Sequence, residues 1–321
     1  IKNVIGDVLI SSAIIAYLGP FQQKYRQQAV AQWTASICAK KIPITMPFIF
    51  DKFLGNPIQL LEWQLKGLPT DTFSQDNAVI LQYSRRYPLL IDPQQQANKW
   101  IRRIEQPNGL VVLRASDADY PKHLASAVRT GTPVLLENVG EELDPVIENL
   151  LLKRIVREGN TYTVVIGEPV EWNEKFRLYI TTKLPRPHYQ PEVSTKVAVI
   201  NFMITPSGLH DQLLQKTVLV ERREIEEKKQ QMTMESAATK ASLKKTEDTI
   251  LALLSGDDNL LENETAIAEI NKAKTQAEKN QHRQTEIEAM EKHSEKTRSY
   301  YKPVALLGAQ LFFVIQELSN V

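Results

Sequence analysis

The sequence predicts an α/β domain with a mostly parallel sheet, followed by an α-helical region that bears a long antiparallel coiled-coil hairpin. Three observations lead to this prediction. Apolar strand-like runs alternate with helical patterns from Tyr87 onwards, which is typical of a parallel sheet covered on both faces. Between Pro206 and Pro303 the chain has no proline and is rich in Lys, Arg and Glu. Within that region, two apolar seams at helical spacing flank a turn-forming cluster at 255–259.

The first part of the chain is predicted to be helical. Residues 8–18 form an apolar run that is too short to span a bilayer, so we interpret it as a buried helix. A second helix is expected over 25–40. A third is expected over 77–85, with Ser74 or Asp76 as its N-terminal cap.

Six strands are predicted in the α/β part. They lie at 88–91, 110–114, 133–137, 163–166, 177–181 and 196–201. Ser116 is expected to cap a helix over 118–128. Ligands in parallel sheets bind at the carboxyl ends of the strands, so the polar loop at 92–99 occupies a natural binding position.

This loop resembles a nucleotide-binding P-loop that has lost its glycines. A working P-loop reads Gly-x-x-x-x-Gly-Lys followed by Ser or Thr, between a strand and a helix. Counting from Lys99, Pro93 and Asn98 stand at the two glycine positions, and Trp100 stands where the hydroxyl should bind magnesium. The alternative interpretation is an ordinary strand-loop-helix with a chance lysine.

The substitutions are incompatible with the usual phosphate cradle. A P-loop wraps phosphates with backbone N–H groups, and its glycines permit conformations that a Cβ forbids. Pro93 contributes no N–H, and the Trp100 side chain cannot ligate magnesium. We therefore expect no catalytic residue, no bound cofactor and no metal in this module.

Two later strands resemble the remaining parts of a nucleotide site. A Walker B strand ends in an aspartate that binds magnesium and a glutamate that orients water, but here Glu137 and Asn138 take those places. A neutral amide is a poor general base. The run before Lys183 resembles a sensor strand whose tip usually carries asparagine. Arg102 and Arg103 are expected to be solvated helix charges.

Composition excludes several classes of function. The formal net charge is +1, which favours neither nucleic acid nor an anionic membrane as a partner. Cys38 is the single cysteine, so there is no disulfide framework. The five histidines fall at no metal-ligand spacing.

The helical region carries two apolar seams. The first runs through Val218, Ile225, Met232, Leu243, Ile250 and Leu254, and the second through Leu260, Ile267, Ile270, Ala277, Ile287 and Met290. Two helices around a tight turn would form an antiparallel coiled-coil hairpin. Lys229, Ser236 and Thr239 interrupt the first seam, which predicts a hairpin that leans on a partner or must bend. The alternative is a solvated helix pair without a partner.

Long phrases of the chain resemble one family. GDVLISSAIIAYLGPF, SRRYPLLIDPQQQANKWI, GTPVLLENVGEELDPVIENLLLK, FRLYITTKLPRPHYQPEVSTKVAVINFMITPSGLHDQLL and ENETAI resemble the dynein heavy chain just after its microtubule-binding stalk. The phrases LLENVGEELDP and ITTKLPRPHY resemble axonemal heavy chains. The order of the P-loop-like, Walker-B-like and sensor-like strands is that of the AAA+ ATPase core.

The resemblance implies a division into parts of an AAA+ ring. Residues 1–20 would end the fourth module's small subdomain, and 21–205 would form the degenerate large subdomain of the fifth module. Residues 206–321 would form its helical small subdomain, with the hairpin at 215–300 as the buttress, or strut, that contacts the stalk. Both chain ends look cut from a longer polypeptide.

The resemblance also implies a role. The segment would be a non-hydrolytic module of an ATP-driven, minus-end-directed microtubule motor in the cytoskeleton of a cilium or flagellum. It would relay shape changes of the ring to the stalk, with ATP and magnesium bound in other modules. Its partners would be neighbouring AAA+ modules, the stalk, other dynein chains and, indirectly, the microtubule. The competing hypotheses are a nucleotide-binding or weakly active ATPase module, and an unrelated coiled-coil scaffold fused to an α/β domain.

Overall fold

The computed structural model describes residues 2–159, 161–256 and 264–318. The chain forms two compact units, one made of Ile1–Asn56 with Lys66–Thr205 and the other of Pro57–Leu65 with Pro206–Val321. The predicted assignment of 1–20, 21–205 and 206–321 to parts of two AAA+ modules stays a prediction. The first twenty residues cluster with the first unit, and Pro57–Leu65 clusters with the second.

A five-stranded parallel sheet is the centre of the first unit. Its strands are β1 (Pro88–Ile91), β2 (Val111–Arg114), β3 (Val134–Glu137), β7 (Leu178–Thr182) and β8 (Ala198–Asn201), in the order β2-β3-β7-β1-β8. All five lie within two residues of their predicted positions. In the central register, Leu89 pairs with Ile180 on one side and Val199 on the other, and all three are buried. The predicted α/β fold with a mostly parallel sheet is confirmed.

A second, antiparallel sheet was not anticipated. It contains β4 (Val156–Glu158), β5 (Thr161–Ile166) and β6 (Glu168–Glu171) in that order. The strand predicted at 163–166 therefore exists, but it lies outside the parallel sheet. Val164 and Ile166 are buried while Tyr162 and Val165 are exposed, as expected for a sheet with one face on the core and one towards solvent.

Helices accompany the parallel sheet in the first unit. They are α1 (Val4–Ala13), continued by a π-helical turn at Ile14–Leu18, α2 (Gln23–Ala39), α3 (Phe50–Leu54), α5 (Thr72–Tyr83), α6 (Gln96–Glu105), α7 (Tyr120–Thr130), α8 (Glu148–Leu151) and α9 (Pro191–Lys196). The largest fully buried side chains include Trp100, Phe202, Leu89, Leu90, Leu135 and Leu136.

The predicted caps of two helices were wrong. Helix α5 begins earlier than expected, and the Asp71 carboxylate caps it by accepting hydrogen bonds from the backbone N–H and hydroxyl of Ser74 at 3.0 and 2.9 Å. Helix α7 begins after Asp119 rather than after Ser116. Pro121 lies in its first turn, where a missing N–H costs nothing.

The turn after the π-helical segment is packed tightly against the sheet. A Cβ on Gly19 would lie 2.4 Å from the carbonyl oxygen of Val199, so only glycine fits. The Gly19 carbonyl accepts hydrogen bonds from the Asn201 N–H at 2.9 Å and from the Arg26 guanidinium at 2.7 Å. The helix that was predicted over residues 8–18 therefore ends beside the carboxyl end of β8.

The second unit is helical. It contains α4 (Pro57–Leu65), α10 (Pro206–Glu221), α11 (Arg223–Gly256), α12 (Glu264–Arg298) and α13 (Lys302–Leu318). Helices α10 and α13 pack together, with Leu214, Val218 and Ala305 buried in a small core. Helix α4 packs against α11.

Helices α11 and α12 lie antiparallel. Polar pairs set their register, because positions that rise along α11 pair with positions that fall along α12: Glu226–Arg298, Glu235–Arg283 and Ser242–Asn280. Met232 and Ile287 are buried as the seam predicted. The turn positions 257–259 and the side chains of Ile250, Leu254, Leu260, Ile267 and Ile270 lie outside the described residues, and the coiled-coil geometry stays a prediction.

Ser236 interrupts the seam in the way the sequence indicated. Its hydroxyl is buried against α12 and lies 3.3 Å from the Gln284 side chain. A buried polar pair replaces apolar packing at this level. The hydrogen bond between them satisfies both polar side chains, but it stabilises the helix pair less than apolar packing would.

Candidate functional site

The P-loop-like segment lies at the carboxyl ends of the parallel strands, as predicted. It follows β1, which runs between β7 and β8. The Asp92 N–H donates to the Thr182 carbonyl at 2.9 Å, and the Gln96 side chain donates to the Phe202 carbonyl at 2.8 Å. These bonds attach the loop to the ends of both neighbouring strands.

The Asp92 side chain occupies the N-terminus of α6. Asp92 is 1% exposed, and its two carboxylate oxygens accept hydrogen bonds from the backbone N–H groups of Gln96 at 2.9 Å and Asn98 at 2.8 Å. In a working P-loop, amides in this position bind the phosphates. Here an internal carboxylate has taken them.

Burial dominates the titration of Asp92. It raises the pKa of the carboxyl to about 6, while the amides of Asn98, Gln96 and Ala97 and the charge of Lys99 oppose the shift. The carboxylate is still charged at neutral pH. At neutral pH it serves as an anion at the positive end of the α6 dipole.

This pKa shift predicts a pH dependence of folding. Between about pH 4 and about pH 6 the folded chain keeps a proton on Asp92 that the unfolded chain, with its usual pKa of 3.8, has released. The free energy of unfolding should therefore fall as pH rises through this window, by at most about 3 kcal/mol from this group. Urea unfolding at a series of pH values would show it, and Asp92→Asn should remove this part of the slope. Identical slopes in the two proteins would contradict the prediction.

The loop adopts its path without the P-loop glycines. Gln95 takes the left-handed conformation, with φ 59°, and its N–H donates to the Asp92 carbonyl at 3.1 Å. Trp100 is 1% exposed, and its ring centroid lies 5.9 Å from that of Phe202. The position of the magnesium-binding hydroxyl is thus filled by a core side chain.

Glu137 lies at the end of β3 and contacts α6. The Asn98 amide donates to Glu137 Oε1 at 2.6 Å, and the Arg102 guanidinium lies 2.5 Å from the same oxygen. Arg102 also donates through Nε to Asn98 Oδ1 at 2.9 Å. The three side chains form a closed hydrogen-bonded ring. Arg102 is an exposed helix charge, as expected, but it is also paired with Glu137, which the sequence did not indicate.

The remaining predicted positions lie apart from this ring. Asn138 is exposed and left-handed, with φ 57°, a conformation that asparagine tolerates better than most residues. Lys99 and Lys183 are exposed. Pro93 is half-buried at the start of the loop.

Two features are absent from the described residues. No group of three or more His, Cys, Asp or Glu side chains among them is arranged to hold a metal ion. Among the same residues, no helix is both long and apolar enough to cross a bilayer.

Comparison with known proteins identifies the family. The model of a family described as the ATP-binding dynein motor region matches residues 61–280. Dynein axonemal heavy chain 3 of Mus musculus is 46% identical over 321 residues, which cover 99% of this chain and 8% of the relative. Dynein axonemal heavy chain 1 of Homo sapiens is 43% identical over 323 residues, which cover 100% of this chain and 8% of the relative.

The chain belongs to the dynein heavy chain family. The predicted resemblance is confirmed, and the hypothesis of an unrelated scaffold was wrong. A heavy chain of the flagellar inner arm I1 complex of Chlamydomonas reinhardtii, Dynein-1-beta, is 38% identical over 320 residues, covering 98% of the chain and 7% of the relative. The chain thus spans less than a tenth of these axonemal and flagellar heavy chains.

Sequence reasoning found part of this dynein site and missed two residues. It identified Asn98 and Glu137, which the fold brings together. It missed Asp92, which directly follows β1 but lies three residues before the N-cap position of α6, Gln95, so no capping rule singles it out. It did not anticipate the pairing of Arg102, which lies one helical turn from Asn98 and therefore on the same face of α6.

Proposed function

We propose that this dynein segment is a non-hydrolytic, structural AAA+ module. The observation that carries the proposal is the Asp92 carboxylate on the α6 amides. A triphosphate would have to displace a buried, charged side chain from those amides before it could bind. The fit of ATP and magnesium is therefore poor, and we assign no catalytic step to these residues.

The proposal includes a place in the motor. The segment is taken as the fifth AAA+ module, preceded by the end of the fourth in residues 1–20, with its small subdomain in 206–321. The antiparallel helices α11 and α12 are taken as the buttress. Their length supports this role, since the 34 residues of α11 alone extend about 50 Å at about 1.5 Å per residue.

In this proposal the module transmits force. Other modules of the heavy chain bind and hydrolyse ATP, the ring changes shape, and the α11–α12 pair pushes or pulls the stalk. Affinity for the microtubule changes as a result, in a minus-end-directed motor of the axoneme. Allosteric relay of this kind requires an element with two arrangements, and the polar interruption at Ser236 and Gln284 supplies a weak level where the helices can shift.

Nucleotide binding without hydrolysis is the second candidate. The matched family is described as ATP-binding, and the P-loop lysine is retained as Lys99. Exposed and next to the loop, Lys99 can still attract a phosphate by charge alone. The amides occupied by Asp92 argue against a specific site.

A binding measurement separates the two candidates. Titration of the chain with labelled ATP and magnesium should show no saturable binding at micromolar concentration. Lys99→Ala and the control Lys24→Ala, which removes an exposed lysine of α2 outside the candidate site, should behave like the wild type. Saturable binding that Lys99→Ala removes and Lys24→Ala retains would establish the second candidate and overturn the first.

A further inference from the structure

Arg102 links two elements that a metal ion would join in an active module. Its guanidinium contacts Glu137 on β3 at 2.5 Å and Asn98 on its own helix at 2.9 Å. The Glu137 side chain is only 12% exposed, whereas the Arg102 side chain is 45% exposed and reaches it from the solvent side. A cation bound to Glu137 would have to occupy the same position.

The ring also neutralises a charge that would otherwise be costly. A largely buried carboxylate needs a paired cation or several hydrogen bonds. Glu137 Oε1 receives both, from Arg102 and from the Asn98 amide. The planar guanidinium satisfies the two oxygen acceptors at once, with donors directed to each.

We propose that Arg102 is a built-in substitute for a divalent cation, which closes a latent cation position formed by Glu137 and Asn98. Together with Asp92, which supplies the anion at the α6 N-terminus, it holds β1, α6 and β3 in one arrangement without a ligand. This inference deepens the proposed function and rests on it. It assigns the ring a specific task, which is to keep the nucleotide-free module rigid.

The proposal predicts a characteristic pattern of thermal stabilities. Arg102→Met removes the ion-pair partner of Glu137 and should lower the Tm of the chain by about 1 to 2 °C. Glu137→Gln keeps an acceptor for Asn98 and removes the charge, so its loss should be smaller. The double variant Arg102→Met/Glu137→Gln should be more stable than Arg102→Met alone, because neither charge is then left unpaired.

A cation should replace the missing guanidinium. Millimolar MgCl2, compared with NaCl at equal ionic strength, should raise the Tm of Arg102→Met. It should leave unchanged the wild type, the double variant and Arg103→Met, which removes the neighbouring exposed arginine of α6. This response distinguishes a cation position from an ordinary ion pair.

Either of two results would overturn the inference. One is an additive double-mutant cycle, in which the Tm loss of the double variant equals the sum of the Tm losses of the two single variants. The other is an Arg102→Met protein whose Tm does not respond to MgCl2. Both are independent of the ATP titration: a wild-type chain that binds ATP would refute the proposed function, whereas a nucleotide-free chain with an additive cycle would refute only the role of Arg102.

Discussion

Replacing Met232 with proline is expected to uncouple ATP turnover from microtubule release in the complete heavy chain. Met232 lies inside α11, is 4% exposed and belongs to the seam facing α12. A proline there removes a backbone N–H and clashes with the carbonyl four residues earlier, at a cost of about 3 kcal/mol or more. A kinked or broken α11 could not carry force along its length, so the ring would still turn over ATP while the stalk no longer responded.

The measurement compares microtubule affinity with and without ATP, alongside the ATPase rate. In the variant, ATP should change microtubule affinity little, while basal turnover persists. Met232→Leu is the matched control, because it conserves volume and helix propensity and should cost less than about 1.5 kcal/mol. A Met232→Pro motor in which ATP still releases the microtubule normally would refute the relay through α11.

The parallel sheet could be predicted because its strands are buried on both faces. Leu89, Leu90 and Ile91 form a short continuous apolar run between a helix and a polar loop, a pattern that favours a central strand of a parallel sheet. The two long helices were equally predictable from the absence of proline. Periodicity and composition are sufficient for such elements.

The antiparallel β4–β6 sheet was harder to predict. Thr163 is followed by the apolar run Val164, Val165 and Ile166, which has the same appearance as a central strand. Only in the fold does it pair with β4 and β6, with alternate residues exposed. Apolarity alone cannot specify which strands will be neighbours.

The ring around Glu137 shows a different limit of sequence reasoning. Motif comparison asks which residues stand at the positions of a known site, and it therefore found the losses at Asn98 and Trp100. It has no position for Asp92 or Arg102. In our proposal these side chains take the places of a bound phosphate and a bound cation, and not the places of motif residues. Asp92 acts through local bonds, to backbone amides four and six residues further along the chain, and these depend on the path of the loop. Arg102 acts through Glu137, which is 35 residues away in sequence, so its role depends on how α6 lies beside β3.

Arg298→Met is expected to destabilise the base of the α11–α12 pair. The side chains of Arg298 and Glu226 are 6% and 2% exposed, and Arg298 Nε lies 3.5 Å from Glu226 Oε2. Arg298 also donates to Glu295 at 3.1 Å. Its removal leaves a buried carboxylate without this partner, which should reduce the free energy of unfolding of the helical unit by about 3 kcal/mol. Urea unfolding followed by far-ultraviolet circular dichroism would measure the loss.

Arg283→Met provides the matched control on the same helix. Arg283 makes shorter ion pairs, 2.6 Å to Glu235 and 2.8 Å to Glu286, but all three side chains are substantially exposed. Exposed pairs contribute less than about 1 kcal/mol because water already solvates both charges. By distance alone, Arg283 would be the more important residue for stability. By burial, Arg298 is the more important one. A larger loss for Arg283→Met than for Arg298→Met would contradict the prediction, because burial would then not decide how much each ion pair contributes to stability.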